Sequence, residues 1–190
     1  MKADICRIWR TRAIGRHIFE SGCDVVDSAR AGGSYTINQA IRDDYFENPN
    51  RLDEQTKARL TSWLIEQRRF GIERPEITAD AIQTAKLRRR LGVDERAYKL
   101  LDYLEQETSF VGEEIAFDGD GEDNTFLEML AWLESTQSDE IEYLLQFLEQ
   151  CGFSKTEHFD DVIGSTKVLV DGHVHLAKLT CDLYVPRCND

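Results

Sequence analysis

Hydrophobic side chains recur at helical spacing through the middle of the chain, between residues 53 and 104. The pattern breaks at Gly71 and Gly92, and glycine is a common residue just after the end of a helix. A polar residue that can cap a helix precedes each of the three resulting segments: Asp53, Thr78 and Asp94. The pattern therefore predicts three short helices, packed as a helical bundle with helix-turn-helix-like connections.

The preceding residues, 5–37, lack this helical periodicity. Two short runs with strand character, 24–28 and 34–37, lie on either side of Gly32 and Gly33. Because glycine adopts positive φ readily, the two runs predict a β-hairpin about a glycine turn. A phosphate-binding loop is the alternative, and it is disfavoured because no Gly-Lys-Ser or Gly-Lys-Thr follows.

Two further amphipathic helices are predicted at 126–133 and 139–150, and Gly152 fits the position after the second one. A strand-like run at 167–170 follows, and then an Asp-Gly turn and a short apolar segment. Helix, helix, extended hairpin and return strand is the order of a winged-helix unit. The predicted fold class is therefore mainly α with small β elements (α+β), with an N-terminal β-hairpin and helical bundle and a C-terminal winged-helix-like module.

The segment between the two modules is acidic and rich in glycine, which is typical of a linker. Its Asp118, Asp120 and Glu122 do not fit an EF-hand, because the twelfth position from Asp118 is Met129 and not a glutamate. The predicted organisation is an N-terminal hairpin and helical module, an acidic Gly-rich linker, a winged-helix-like module and a tail: 1–110, 111–124, 125–180 and 181–190.

Composition narrows the class of protein. Of the 190 residues, 41% are hydrophobic and 31% are charged, which suits a folded domain with a buried core. No apolar run approaches the ~20 residues that cross a bilayer, and no secretory signal opens the sequence. The 5 cysteines are irregularly spaced, which disfavours a disulfide framework. The sequence therefore predicts a cytoplasmic protein with no membrane partner.

Charge divides the chain into two unequal parts. Residues 1–100 hold 19 Lys and Arg against 15 Asp and Glu, whereas residues 101–190 hold 4 against 21. Since binding to duplex DNA depends on neutralising phosphates, the second part disfavours DNA as a partner. Any nucleic-acid contact would fall on the one basic run of the first part: Lys86, Arg88, Arg89 and Arg90. A solvated helix end explains this run as well, and a nucleic-acid-binding helix-turn-helix-type regulator is kept as the alternative function.

The helix predicted at 139–150 carries acids outside its apolar stripe and has no Lys or Arg. A recognition helix needs cations for phosphate and guanine, so this helix is not expected to read DNA. Its acidic face instead predicts a docking surface for a basic protein partner, formed by Glu140, Glu142 and Glu149.

Candidate chemistry is sparse. His173 and His175 precede Cys181 and Cys188, but no cysteine pair has the C-x₂₋₄-C spacing of zinc sites. Histidines two residues apart on a strand would also point to opposite faces. There is no G-x-S-x-G elbow and no local cysteine-protease signature. The sequence therefore predicts no enzyme: no catalytic residues, no cofactor and no metal.

Three stretches resemble a known bacterial arrangement: 6–13 (CRIWRTRA), 27–35 (DSARAGGSY) and 57–69 (KARLTSWLIEQRR). They are similar to the opening segments of uncharacterised bacterial proteins in which a winged-helix-like unit precedes a nucleoside 2-deoxyribosyltransferase-like or TIR-like effector domain. Residues 166–179 are similar to the closing segment of that unit. The resemblance implies a non-catalytic sensor or adaptor module that engages an effector protein encoded nearby, in bacterial stress or phage defence.

The chain also departs from that pattern. The related sequences tend to read Cys-Pro-x-(Trp/Cys)-Gly-Thr near the start, where this chain has Arg7 and Arg10 in place of proline and glycine. A knuckle-like metal role for the segment is therefore disfavoured. The sequence ends at Asp190, where the effector domain would begin, so we expect the effector to be absent, a separate chain or lost by truncation.

Overall fold

The structure is a computed structural model that describes residues 4–18, 22–48, 51–109, 114–118, 123–152, 154–158 and 165–170. Its strands are β1 (Asp4–Ile5), β2 (Arg12–Ile18), β3 (Cys23–Ser28), β4 (Gly33–Asn38), β5 (Glu76–Ile77), β6 (Glu114–Asp118), β7 (Ser154–His158) and β8 (Ser165–Val170). Its helices are α1 (Gln39–Tyr45), α2 (Glu54–Arg69), α3 (Ala79–Leu87), α4 (Val93–Glu107), α5 (Asn124–Trp132) and α6 (Ser138–Gln150). A 3₁₀ turn, Ala29–Ala31, joins β3 to β4.

The first five strands form one sheet in chain order. Neighbours are antiparallel from β1 to β4, and β5 pairs with β4 in parallel. The predicted hairpin is confirmed, since β3 and β4 pair from Ser28 opposite Gly33 to Cys23 opposite Asn38. The sheet is larger than predicted, because β2 adds to the free edge of β3 and a two-residue β5 adds to β4. The described chain is therefore a mixed α+β fold.

The turn between β3 and β4 requires glycine for two reasons. Gly32 and Gly33 have φ of 66° and 123°, which other residues rarely adopt. A Cβ added at Gly32 would also lie 2.5 Å from the side chain of Ile65 on α2. Arg68 then donates hydrogen bonds of 3.1 and 3.0 Å to the carbonyl oxygens on either side of the two glycines. The turn is thus fastened to α2.

The helices α2 and α3 pack against this sheet. Their predicted caps are confirmed: Asp53 accepts the N–H of Thr56 at 2.7 Å, and Thr78 accepts the N–H of Ala81 at 3.1 Å. Together with the sheet they bury the first core: Cys6, Ile8, Ala13, Val26, Ala31, Tyr35, Ile37, Phe46, Leu52, Leu60, Leu64, Ile77, Ala81, Ile82 and Ala85.

The helix α4 does not share that core, which corrects the predicted three-helix bundle. Its apolar stripe packs with α5 and α6 in the second core: Ala97, Leu100, Leu101, Tyr103, Leu104, Ile115, Phe126, Leu127, Met129, Leu130, Leu133, Ile141, Leu144, Leu145 and Leu148. The predicted cap Asp94 is also wrong. The helix begins after Gly92, whose N–H is accepted by Glu95 at 2.9 Å. A glutamate reaching back therefore replaces the polar cap that the sequence suggested.

The predicted linker 111–124 contains a strand. β6 pairs with β8, and the resulting antiparallel sheet has the order β6-β8-β7. Ile115 on β6 is buried in the second core. The second core thus spans the predicted boundary from both sides, with α4 before it and α5 and α6 after it. The winged-helix form of 125–180 stays a prediction, because residues from 171 onward lie outside the described chain.

Within the described parts of the chain, none of the helices combines the length and apolar character needed to span a bilayer.

Candidate functional site

The predicted basic run lies at the end of α3 and in the loop to α4. Lys86 is exposed, and its Nζ lies 5.8 Å from the ring centroid of Tyr45. Each of the following arginines, Arg88, Arg89 and Arg90, pairs with a carboxylate of this chain. Arg88 pairs with Glu66, Arg89 with Glu95, and Arg90 with Glu140. The three arginines therefore connect this segment to α2, α4 and α6, and a phosphate would compete with a carboxylate for each of them.

The three acids predicted to bind a partner are not equivalent. Glu142 and Glu149 are exposed on α6, as expected. Glu140 is only partly exposed, because its carboxylate accepts a hydrogen bond of 2.9 Å from Arg96 and one of 3.0 Å from the N–H of Thr136. The prediction that all three face outward is therefore wrong for Glu140. In the first turn of α6, its side chain folds back over the loop that precedes the helix.

Glu140 belongs to a set of polar contacts between the two cores, here called the polar bridge: Arg30, Arg96, Ser135 and Glu140. Arg96 is 8% exposed and donates to the carbonyl of Leu133 at 2.9 Å and to Ser135 Oγ at 2.6 Å. Arg30 reaches the carbonyl of Ser135 from the 3₁₀ turn of the first sheet. The polar bridge thus fixes the start of α6 relative to the sheet.

Arg30 is itself an unusual buried cation. Its guanidinium lies over the ring of Trp9, 3.7 Å from the centroid, and burial lowers its pKa to about 10. The cation–π contact offsets part of the desolvation that burial costs. Arg30 Nη1 has no hydrogen-bond partner among the described residues. The side chain therefore contributes to the packing of the two cores, and its charge does not face solvent.

The outer face of α6 forms a continuous exposed row, here called the acidic face: Asp139, Glu142, Tyr143, Gln146 and Glu149. Tyr143 lies at its centre and is 57% exposed. The opposite face of the helix is buried in the second core. Since α6 contains no Lys or Arg, the row combines negative charge with one large aromatic side chain.

A cleft of about 690 Å³ lies between the sheet and the start of α5. It is lined by Arg12, Ala13, Ile14, Asp27, Ser28, Ala29, Asp123, Asn124 and Glu128. Burial raises the pKa of Glu128, and the charges of Glu107, Asp123 and Asp27 raise it further. Ser28 is 2% exposed, and its hydroxyl has no hydrogen-bond partner among the described residues. Sequence reasoning missed this cleft, because strands and a helix from distant parts of the chain form it.

The side chains that could ligate a metal, and the cysteine thiols, do not cluster among the described residues. Within the described residues there is no group of three or more His, Cys, Asp or Glu side chains that could hold a metal ion. Cys6 is buried with its Sγ 3.6 Å from the hydroxyl of Tyr35, and Cys151 is exposed. Arg10, at the position where the related sequences have glycine, has φ of 60°. His173, His175, Cys181 and Cys188, which the sequence analysis disfavours as a zinc site, lie outside the described residues.

No family model matches the chain, and comparison with curated proteins and with solved structures found no match. The resemblance carried by 6–13, 27–35 and 57–69 therefore stays a prediction, and function is inferred from the surfaces described above.

Proposed function

We propose that this protein is a non-catalytic sensor or adaptor that engages an effector protein through the acidic face of α6. The observation that carries the proposal is the exposed row from Asp139 to Glu149, with Tyr143 at its centre. Tyrosine is enriched among the residues that dominate binding energy at protein interfaces. Surrounding acids steer a basic partner surface and raise its association rate.

The backbone of the acidic face is held in place before any partner arrives. Its inner side chains are buried in the second core, and Glu140 at its start is held by Arg96 and Arg90. A surface that is already ordered loses less conformational entropy on binding than a mobile one. This rigidity supports a docking function for α6.

The sequence resemblance indicates what kind of protein the partner is. It supports an effector with a nucleoside 2-deoxyribosyltransferase-like or TIR-like domain, encoded nearby and acting in bacterial stress or phage defence. A cytoplasmic location and a winged-helix-like form of residues 125–180 belong to the same proposal. The described order of α5, α6, β7 and β8 supports that form.

The test measures binding to a purified effector encoded beside this gene by biolayer interferometry. We expect Glu142→Lys/Glu149→Lys and, separately, Tyr143→Ala to weaken binding by about tenfold or more. The matched control is Asp44→Lys/Glu76→Lys, which makes the same change in net charge at exposed residues elsewhere. Equal affinities for the wild type and both α6 variants would overturn the proposal.

A second measurement tests the proposal that the protein is not a catalyst. The purified chain is expected to show no nucleotide hydrolysis, NAD cleavage or peptidase activity. Turnover that purifies with the monomeric chain would contradict the adaptor function, even if an effector also binds.

A further inference from the structure

A small cavity at the edge of the first core is lined, among the described residues, by three cations and by no carboxylate. Arg7 and Arg10 reach it from the loop between β1 and β2, and Lys57 reaches it from the first turn of α2. Tyr45, the last residue of α1, forms part of its wall. The cavity offers about 30 Å³ to the centres of water-sized atoms, which is at least twice the ~10–15 Å³ that a single water needs. It therefore has room for a compact anion.

The carboxylates that pair with two of these cations lie outside the lining of the cavity. Asp24 pairs with Arg7 at 3.3 Å, but it also pairs with Arg42 at 2.9 Å, so one negative charge serves two arginines. Arg42 in turn reaches two exposed acids near the end of α1. Glu54 pairs with Lys57 at 2.6 Å and is itself mostly exposed. An anion in the cavity would therefore meet cations without meeting a carboxylate of the lining.

Arg10 is the cation that the folded chain leaves unbalanced. Its backbone φ is 60°, a left-handed conformation that glycine adopts freely and that strains other residues. The side chain donates to the carbonyl oxygen of Phe46, and among the described residues it forms no ion pair. A guanidinium has five N–H groups, so donors remain for a ligand. A strained arginine at a cavity is a sign of function, because a glycine would form the same turn without strain.

Two further cations lie beside the wall of the cavity. Arg51 Cζ is 5.4 Å and Lys86 Nζ is 5.8 Å from the centroid of the Tyr45 ring. Neither cation forms an ion pair with a described residue, whereas the three arginines of the basic run all pair with carboxylates. The positive charges around Tyr45 therefore add to the potential that attracts an anion.

We propose that this cavity binds a phosphoryl group, either as inorganic phosphate or as the end of a small phosphate monoester. Arg10 donates hydrogen bonds to its oxygens from a guanidinium fork that matches phosphate, and Lys57 contributes a point charge from α2. A phosphate monoester carries about −1.5 to −2 charge at neutral pH, which suits a lining of three cations. The inference goes beyond docking at α6: it names a ligand for the sensor of the proposed function and rests on that function only for the ligand's role.

The first test titrates inorganic phosphate and, separately, glycerol 3-phosphate into the full chain by isothermal titration calorimetry at ~150 mM NaCl. We expect saturable binding of one equivalent, weakened by about tenfold or more in Arg10→Gln and by about threefold or more in Lys57→Gln. Tighter binding of glycerol 3-phosphate would assign the cavity to a monoester, and tighter binding of inorganic phosphate would assign it to the free ion.

The matched control is Arg12→Gln, which removes an exposed arginine of β2 that does not line this cavity. Its phosphate affinity should equal that of the wild type. Trimethyl phosphate, which has a similar core but no charge, should not bind.

Arg10→Gly separates a ligand contact from a structural one. Glycine takes the φ of 60° without strain, so this variant keeps the turn and loses the guanidinium. At about a hundredfold excess over the dissociation constant, phosphate should raise the unfolding midpoint of the wild type by about 5 °C or more. It should raise the midpoint of Arg10→Gly by about half as much or less. An equal rise in both proteins would show that Arg10 serves the fold alone, and the proposal would then be wrong.

Three other results would overturn the proposal. They are no saturable binding of either phosphate compound, equal affinities for the wild type and Arg10→Gln, and binding of trimethyl phosphate as tight as that of phosphate. None of them bears on docking at α6, which packs in the second core. Conversely, loss of effector binding in Glu142→Lys/Glu149→Lys should leave phosphate affinity unchanged, so the two proposals fail separately.

Discussion

The two cores of this protein use charge in opposite ways. In the first, several arginines are turned inward or paired: Arg68 donates to carbonyls of the glycine turn, and Arg88 pairs with Glu66. In the second, α6 presents Glu142 and Glu149 to solvent, and among the described residues no cation pairs with either. A basic run in a sequence is therefore not always a free basic surface, whereas the outer acids of α6, Glu142 and Glu149, do form an exposed acidic surface.

The largest expected effect is at the polar bridge. Arg96→Ala leaves the buried hydroxyl of Ser135 and the buried carbonyl of Leu133 without their donor, and it removes one donor from Glu140, which keeps the N–H of Thr136 and the side chain of Arg90. Leaving a buried polar group unsatisfied costs about 1–3 kcal/mol, and this variant leaves two. Urea unfolding followed by circular dichroism measures the loss.

Arg90→Ala is the matched control for that change, because Arg90 pairs with the same Glu140 but is exposed. Exposed ion pairs contribute about 0–1 kcal/mol. Similar losses of unfolding free energy in the two variants would show that the buried contact of Glu140 with Arg96 is no stronger than its exposed contact with Arg90.

The glycine turn gives the next effect. Gly32→Ala places a methyl group 2.5 Å from the side chain of Ile65 at a φ of 66°, so both steric and conformational costs apply. Gly22→Ala has a similar φ of 62° with no atom within 4 Å, so only the conformational cost of about 1 kcal/mol applies. We expect Gly32→Ala to cost about 1–3 kcal/mol more than Gly22→Ala, by the same urea unfolding. Equal costs would show that Ile65 moves aside freely.

Sequence patterns predicted the parts of this fold that depend on local signals. Asp53 and Thr78 cap their helices, and the runs at 24–28 and 34–37 form a hairpin. A two-residue strand such as β5 has no pattern of its own and exists only because β4 offers it an edge.

In the candidate sites too, features with a local sequence signal could be predicted, and features that depend on contacts between distant elements could not. The exposure of Glu142 and Glu149 could be read from the periodicity of α6, since they lie opposite its apolar stripe. The engagement of Glu140 could not, because its partner Arg96 lies on another helix. The cleft at Ser28 had no local signal either, since it depends on where α5 meets the sheet.

A smaller, pH-dependent effect is expected at Glu128. Burial and neighbouring acids raise its pKa in the folded state, so its contribution to stability is present below the unfolded pKa and is lost as pH rises through the folded one. Glu128→Gln should therefore raise the unfolding midpoint at about pH 7 and change it little at about pH 4. The exposed Glu142→Gln is the control and should give a small difference that is the same at both pH values. A Glu128→Gln variant less stable than the wild type at the higher pH would contradict this assignment.

The smallest expected effect concerns the paired arginines and duplex DNA. Wild-type protein should show no binding to a labelled duplex of about 20 base pairs at ~150 mM salt, because ion pairs occupy the basic run and the chain is acidic overall. Glu66→Gln/Glu95→Gln removes the partners of two arginines and should produce weak binding at ~50 mM salt, a few-fold above the wild type in fluorescence anisotropy.

Asp44→Asn/Glu76→Gln changes the net charge equally but frees no arginine of the run, so it should leave the anisotropy at the wild-type level. If both double variants gain affinity to the same extent, overall charge and not pairing keeps this protein from DNA. If the wild type binds below ~1 μM at ~150 mM salt, the arginines exchange carboxylates for phosphates readily. The two cores would then differ only in the kind of partner that they bind, because the basic run would be as accessible to phosphate as the acidic face is to a basic protein.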